Sequence, residues 1–135
     1  MSGETDLGAL LRNMTAELVP GVFVFVTLPD RAAPPGLTPR MVFQEAEGTT
    51  LIVLQSEAEA ARLEYEFPCR MITLNVHSAL EAVGFLAVIA TALASEGMGV
   101  NPVAGFYHDH LFVPEDRADD ALRILARMAA EARQA

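Results

Sequence analysis

Two stretches of this chain repeat one another. LIVLQSEAEAA from Leu51 and LFVPEDRADDA from Leu111 align at one constant offset. Leu51 falls on Leu111, Val53 on Val113, and the candidate helix caps Ser56 on Asp116; Ala58, Glu59 and Ala61 meet Ala118, Asp119 and Ala121. Each copy reads as an apolar strand running into a helix start, and each follows a further helix and strand pattern. Duplicated α-β-β-α units are the architecture this favours. With the apolar segment Arg70 to Val76 included, the second unit reads β-α-β-β-α. An α+β fold follows, with antiparallel sheets and helices on one sheet face, the other face being free to meet a second sheet. Apolar residues make up 52% of the 135, enough for a packed interior in a chain of one-domain length.

The remaining elements are read from periodicity and punctuation. Leu7, Leu10, Leu11, Met14 and Leu18 recur at helical spacing, with Thr5 or Asp6 as cap and Pro20-Gly21 as stop. Val22 to Leu28 is rich in β-branched and aromatic residues and apolar on both faces, so a buried strand is expected. PDRAAPPGLTP, residues 29–39, is a loop. Met41 to Glu45 and Thr50 to Leu54 form a hairpin about Glu47-Gly48. Ser56-Glu57-Ala58-Glu59 and Ser78-Ala79-Leu80-Glu81 both have the capping-box pattern; the first opens a short helix to about Tyr65, the second a long one to about Glu96. Val100 to Tyr107 is a strand that Pro102 demotes to an edge or bulged position. A short strand, Leu111 to Val113, precedes a last helix that is capped by Asp116 and turns Ala121, Leu122, Leu125 and Met128 inward.

The chemistry the chain can support is narrow. Eighteen acidic residues face nine basic ones, a net charge of −9, with no Lys/Arg cluster, which argues against nucleic acid and anionic membranes as partners. The longest apolar run, Ala82 to Ala94, is shorter than the ~20 residues of a bilayer span. The N-terminus lacks the pattern of a signal peptide, so a cytoplasmic protein is expected. Cys69 stands alone and reads as a small buried hydrophobe. His108-Asp109-His110 is the one cluster with metal or catalytic potential. The two histidines would share a face of a straight strand and Asp109 would point away, which leaves too few ligands for an ordinary zinc site. A tight connection or hairpin tip is the favoured reading of the trio; a metal-dependent enzyme using it stays open as an alternative.

The stretch HSALEAVGFLAVIATALASEGMGVNPV, His77 to Val103, resembles an ACT domain. Gly84 matches that family's early helix glycine, Leu86, Ile89, Ala90 and Leu93 its helix pattern, and Gly97 and Asn101 its turn and following strand. VHSALEAVG and AGFYHDHLFVP carry a narrower likeness to bacterial tandem-ACT proteins of uncharacterised function. The resemblance implies ferredoxin-like βαββαβ units in tandem, residues 1–66 and 67–135, although no strand is visible after the last helix. It also implies a site for a small molecule, most often an amino acid, where units abut at the strand-to-helix turn. Leu80, Glu81, Ala82, Val83, Gly84 and Phe85 would line it, with Asn75 and His77 at the end of the preceding strand and Asn101 beside it.

A helix start suits a carboxylate, because its first N–H groups are unpaired and its dipole is positive there. Bland roles compete at each position: Ser78 and Glu81 as caps, Gly84 as a packing contact, Asn101 as a turn residue. The reading that results is a non-enzymatic regulatory module without cofactor, binding an amino acid and forming a homodimer. A purely structural assembly module is the second possibility.

Overall fold

The computed structural model describes residues 3–29 and 33–135. In chain order the elements are α1 (Leu7–Asn13), β1 (Ala16–Leu18), β2 (Phe23–Leu28), β3 (Met41–Gln44), β4 (Thr49–Leu54), α2 (Gln55–Ala60), β5 (Glu66–Leu74), α3 (Phe85–Ala94), β6 (Asn101–Ala104), β7 (Asp109–Pro114) and α4 (Ala118–Gln134). By contact they group into two compact units, residues 1–19 with 70–135, and residues 20–69. The sequence division at 66/67 falls inside β5, and the first nineteen residues pack with the C-terminal half.

In the larger unit the strands run β1–β5–β7–β6. β1 pairs antiparallel with β5, Ala16 opposite Leu74 and Leu18 opposite Ile72. β6 pairs antiparallel with β7, Asn101 opposite Phe112 and Ala104 opposite Asp109. Ile72 and Leu74 of β5 and Leu111 and Val113 of β7 sit on one face at period two. They are fully buried against Leu10 and Met14 of the N-terminal segment, Ile89 and Leu93 of α3, and Ala121 and Leu125 of α4. Helices therefore cover one face of an antiparallel sheet. The strand that the sequence lacks after its last helix is supplied by β1, from the other end of the chain.

The smaller unit has the same strand plan, β3–β4–β2 followed by the first residues of β5. β3 and β4 form the expected hairpin, Met41 opposite Ile52. This register is the counterpart, at the repeat offset, of Asn101 opposite Phe112. β2 pairs antiparallel with β4, and with β5 through a register shift between Phe23 and Phe25. Phe67, at φ 58, sits in that irregularity. Val24, Val26, Leu28, Leu51, Val53 and Ala58 form the core. Of the expected loop 29–39, residues 30–32 lie outside the described residues; the rest has neither helix nor strand.

Several boundaries differ from the sequence reading, each for a local reason. The helix expected to reach Leu18 ends at Asn13, because Met14 turns extended and Ala16–Leu18 find a strand partner. Asp6 is its cap, accepting from Ala9 N–H at 2.8 Å. The helix expected from Ser56 to Tyr65 is α2, which ends at Ala60, and its box is closed by Glu57, whose carboxylate accepts from Leu54 N–H at 3.2 Å. Glu57 also accepts from Thr38 N–H at 2.8 Å, tying the preceding loop to the helix start. Tyr65 is engaged from outside the helix, donating to Glu59 at 3.2 Å and accepting from Gln55 at 3.1 Å. β5 begins at Glu66 and includes Pro68, where a helix stop was expected. Asp116 does not cap α4: it lies in a single 3-10 turn, Glu115–Arg117, ahead of that helix. The two largest departures, at α3 and β7, shape the site.

Candidate functional site

After Leu74 the chain runs without regular structure to Gly84, and the N-terminal segment holds it in place. Glu4 N–H donates to the His77 carbonyl at 2.8 Å, and Ala79 N–H donates to the Glu4 carbonyl at 2.9 Å. Gly3 makes this approach possible, since a Cβ there would lie 2.6 Å from the Ala79 nitrogen. The segment so held carries Ser78, whose buried hydroxyl donates to the Asp109 carboxylate at 2.8 Å.

Asp109 is the first residue of β7 and is 6% exposed. The hairpin before it is closed by Gly105 N–H donating to the His108 carbonyl at 2.9 Å. A Cβ on Gly105 would stand 2.8 Å from that carbonyl oxygen, so the tight turn requires glycine. Opposite lies the start of α3. Gly84, at φ 92 and with no side chain to cap, is its N-cap, and the first helical bond runs from Val88 N–H to the Gly84 carbonyl at 2.9 Å. The N–H groups of Phe85, Leu86 and Ala87 precede that ladder. Between the helix start and Asp109 is a cavity of about 140 Å³, walled by Ser78, Ala79, Ala82, Phe85, Ala104 and Gly105, with Leu80, Gly84, Leu86 and Ala87 completing it.

The helix expected to begin at the Ser78-to-Glu81 box therefore starts at Phe85 instead. Ser78 is not a cap, because its hydroxyl is committed to Asp109. Gly84 is not inside a helix; its left-handed backbone is what makes glycine suitable there. Of the residues expected at the site, Leu80, Ala82, Gly84 and Phe85 line the cavity. Asn75, His77, Glu81, Val83 and Asn101 are not among its walls. Asn75 donates instead to the Glu17 carboxylate at 3.2 Å. The His77 ring packs against Tyr107 with centroids 5.5 Å apart. Val83 is 85% exposed, Glu81 is exposed, and Asn101 is exposed at the start of β6.

The His108-Asp109-His110 trio is dispersed. Asp109 turns inward to Ser78, while the His110 Nδ1 lies 3.0 Å from the Thr73 hydroxyl. Among the described residues no three His, Cys, Asp or Glu side chains are grouped to hold a metal. Sequence reasoning did not find Ser78 and Asp109 as a pair. The available signal was a polar residue opening an apolar strand in both repeats: Thr49 and Asp109 occupy equivalent positions and are both buried, at 5% and 6% exposure.

The strand orders, the antiparallel strand pairs and the helices packed against the sheet define ferredoxin-like α+β units, present twice. The chain belongs to the ACT-domain family, whose description matches residues 2–70 and again residues 66–127. A solved structure of a Vibrio cholerae protein of unknown function, described as a possible transport protein, is 42% identical, with a TM-score of 0.81 over 91% of this chain and 95% of that one. A protein from Agrobacterium tumefaciens shares 15% identity at a TM-score of 0.70, covering 86% of this chain and 89% of its own. The regulatory subunit of aspartate kinase from Thermus thermophilus, in a ligand-free form, shares 15% identity at 0.61, covering 84% and 95%. The last two likenesses are of fold. No curated protein matches the chain. ACT domains are regulatory modules that generally bind small molecules. Among the described residues no helix is long and apolar enough to cross a membrane.

Proposed function

We propose that the crevice at the start of α3 binds a small amino acid, and that the protein is a non-enzymatic regulatory module which transmits occupancy to its own assembly or to a partner. One observation carries this reading: an uncapped helix start and a buried carboxylate line the same cavity. The two ends of a zwitterion need opposite surroundings. The N–H groups of Phe85, Leu86 and Ala87, at the positive end of the α3 dipole, suit the α-carboxylate. Asp109 suits the ammonium group. Its one described side-chain partner is Ser78, and a buried carboxylate with a single hydroxyl donor gains from a cation. Leu80, Ala82, Gly84 and Phe85 form the apolar wall.

A homodimer accords with the exposed apolar side chains of Leu80, Val83, Phe106 and Tyr107, which are 59% to 85% exposed. A cytoplasmic setting accords with Cys69, a buried free thiol. In such a module a ligand acts by its difference in affinity between two states. The test is a thermal-shift series on the full chain with the twenty amino acids. At least one should raise the melting temperature in a dose-dependent way, through linkage to the folded state, and the rise should vanish in Asp109→Asn. Flat melting across all twenty contradicts the proposal.

A further inference from the structure

Building on the site reading above, we infer that the crevice selects small amino acids with a neutral side chain and rejects dicarboxylic ones. Among the described residues, Asp109 is the only charged side chain lining the cavity, and no Lys, Arg or His lines it. A ligand's α-carboxylate would occupy the α3 start. Among the described side chains lining the cavity, a second carboxylate would then find no donor beyond the Ser78 hydroxyl, which already serves Asp109 at 2.8 Å.

It would also lie within a few ångströms of the Asp109 carboxylate. Because Asp109 itself is only 6% exposed, that repulsion is weakly screened. Aspartate or glutamate should consequently bind at least roughly a hundredfold more weakly than alanine or serine. Size acts in the same direction. The cavity is about 140 Å³, against about 300 Å³ at the lower end of ordinary ligand pockets. Ala79, Ala82 and Ala104 with Gly105 line it, together with Phe85, which is 3% exposed. Side chains beyond the size of alanine or serine outgrow the cavity, so leucine and phenylalanine should bind more weakly than alanine.

The experiment is isothermal titration of the full chain with glycine, alanine, serine, aspartate, glutamate, leucine and phenylalanine, repeated on Asp109→Asn and on Ala82→Leu. Binding of glycine, alanine or serine, at least a hundredfold tighter than aspartate and glutamate, supports the inference. Loss of glycine, alanine and serine binding in Asp109→Asn, with no further weakening of aspartate and glutamate, assigns the discrimination to the carboxylate. Ala82→Leu should remove serine binding before glycine binding, and it keeps the size claim testable should Asp109→Asn fail to fold. Aspartate, glutamate or leucine binding as well as alanine overturns the inference while leaving an amino-acid site standing. Failure of all seven to bind overturns both the inference and the reading beneath it.

Discussion

At the scale of single residues, Asp109 and Ser78 hold the tension of the site. A carboxylate at 6% exposure with one hydroxyl donor is a poor choice for stability alone. Asp109→Asn keeps an acceptor for Ser78 and removes the buried charge, so its melting temperature should equal or exceed that of the native chain while ligand stabilisation is lost. A large drop in melting temperature would instead make Asp109 a structural residue. Ser78→Ala leaves the carboxylate without its donor and should cost about 1–3 kcal/mol in urea unfolding; an unchanged midpoint would show that the hydrogen bond contributes nothing.

Gly84 acts through its backbone. A Cβ there would meet only Leu7 Cδ2, at 3.7 Å, so space is available, but φ is 92. Gly84→Ala should therefore stay folded at a cost of about 1–3 kcal/mol, whereas a cost near zero would mean that the helix start relaxes without strain. The box-like Ser78-to-Glu81 segment hid this arrangement. Its residues fit a helix start, and only the three-dimensional proximity of Asp109 shows where the serine hydroxyl goes.

At the scale of elements, the β3–β4 hairpin was legible, while the limits of β6, β7 and the helices were not. β3–β4 and β6–β7 have the same length and register at the repeat offset, because alternation of buried and exposed residues pins a strand pair to one register. Leu51 and Leu111, both fully buried, occupy equivalent places in the two copies. Truncation of either to alanine should cost about 2–5 kcal/mol in urea unfolding; a loss below 1 kcal/mol at one site would mean that its copy of the hairpin is not core.

The spacing of Leu7, Leu10, Leu11, Met14 and Leu18 continues across a helix, a turn and a strand, so periodicity alone made one helix of three pieces. The three-residue β1 is too short to leave a pattern of its own. The start of α4 carries a pH-sensitive contact. The Asp120 carboxylate is held below the ordinary aspartate range, first by the hydrogen bond from Arg117 at 2.8 Å, against opposing desolvation, and further by the charges of Arg123 and Arg117. A carboxylate depressed in the folded state adds stability above its unfolded pKa and loses it as pH falls through the folded value. Carbon-detected NMR titration should place the Asp120 midpoint below that of a free aspartate, and Arg117→Ala should raise it. A midpoint at or above the ordinary value would show that the pair does not persist in solution.

At the scale of the whole molecule, the tandem α+β plan was written into the sequence by its repeat, and the family resemblance at His77 to Val103 pointed to the turn before α3, beside which the cavity lies. The grouping of residues 1–19 with 70–135 was not legible, because it depends on the pairing of β1 with β5 and of Glu4 with the segment before α3. The result is a chain in which Glu4 and β1 complete the unit that holds the crevice. Everything functional rests on that crevice receiving an amino acid at the α3 start. The most direct measurement is an amide NMR titration of the full chain with alanine. The expected result is saturable movement of the Phe85, Leu86 and Ala87 amide signals together with Asp109, absent in Asp109→Asn. Saturable shifts confined to other residues, or no shifts up to millimolar alanine and serine, would contradict the account.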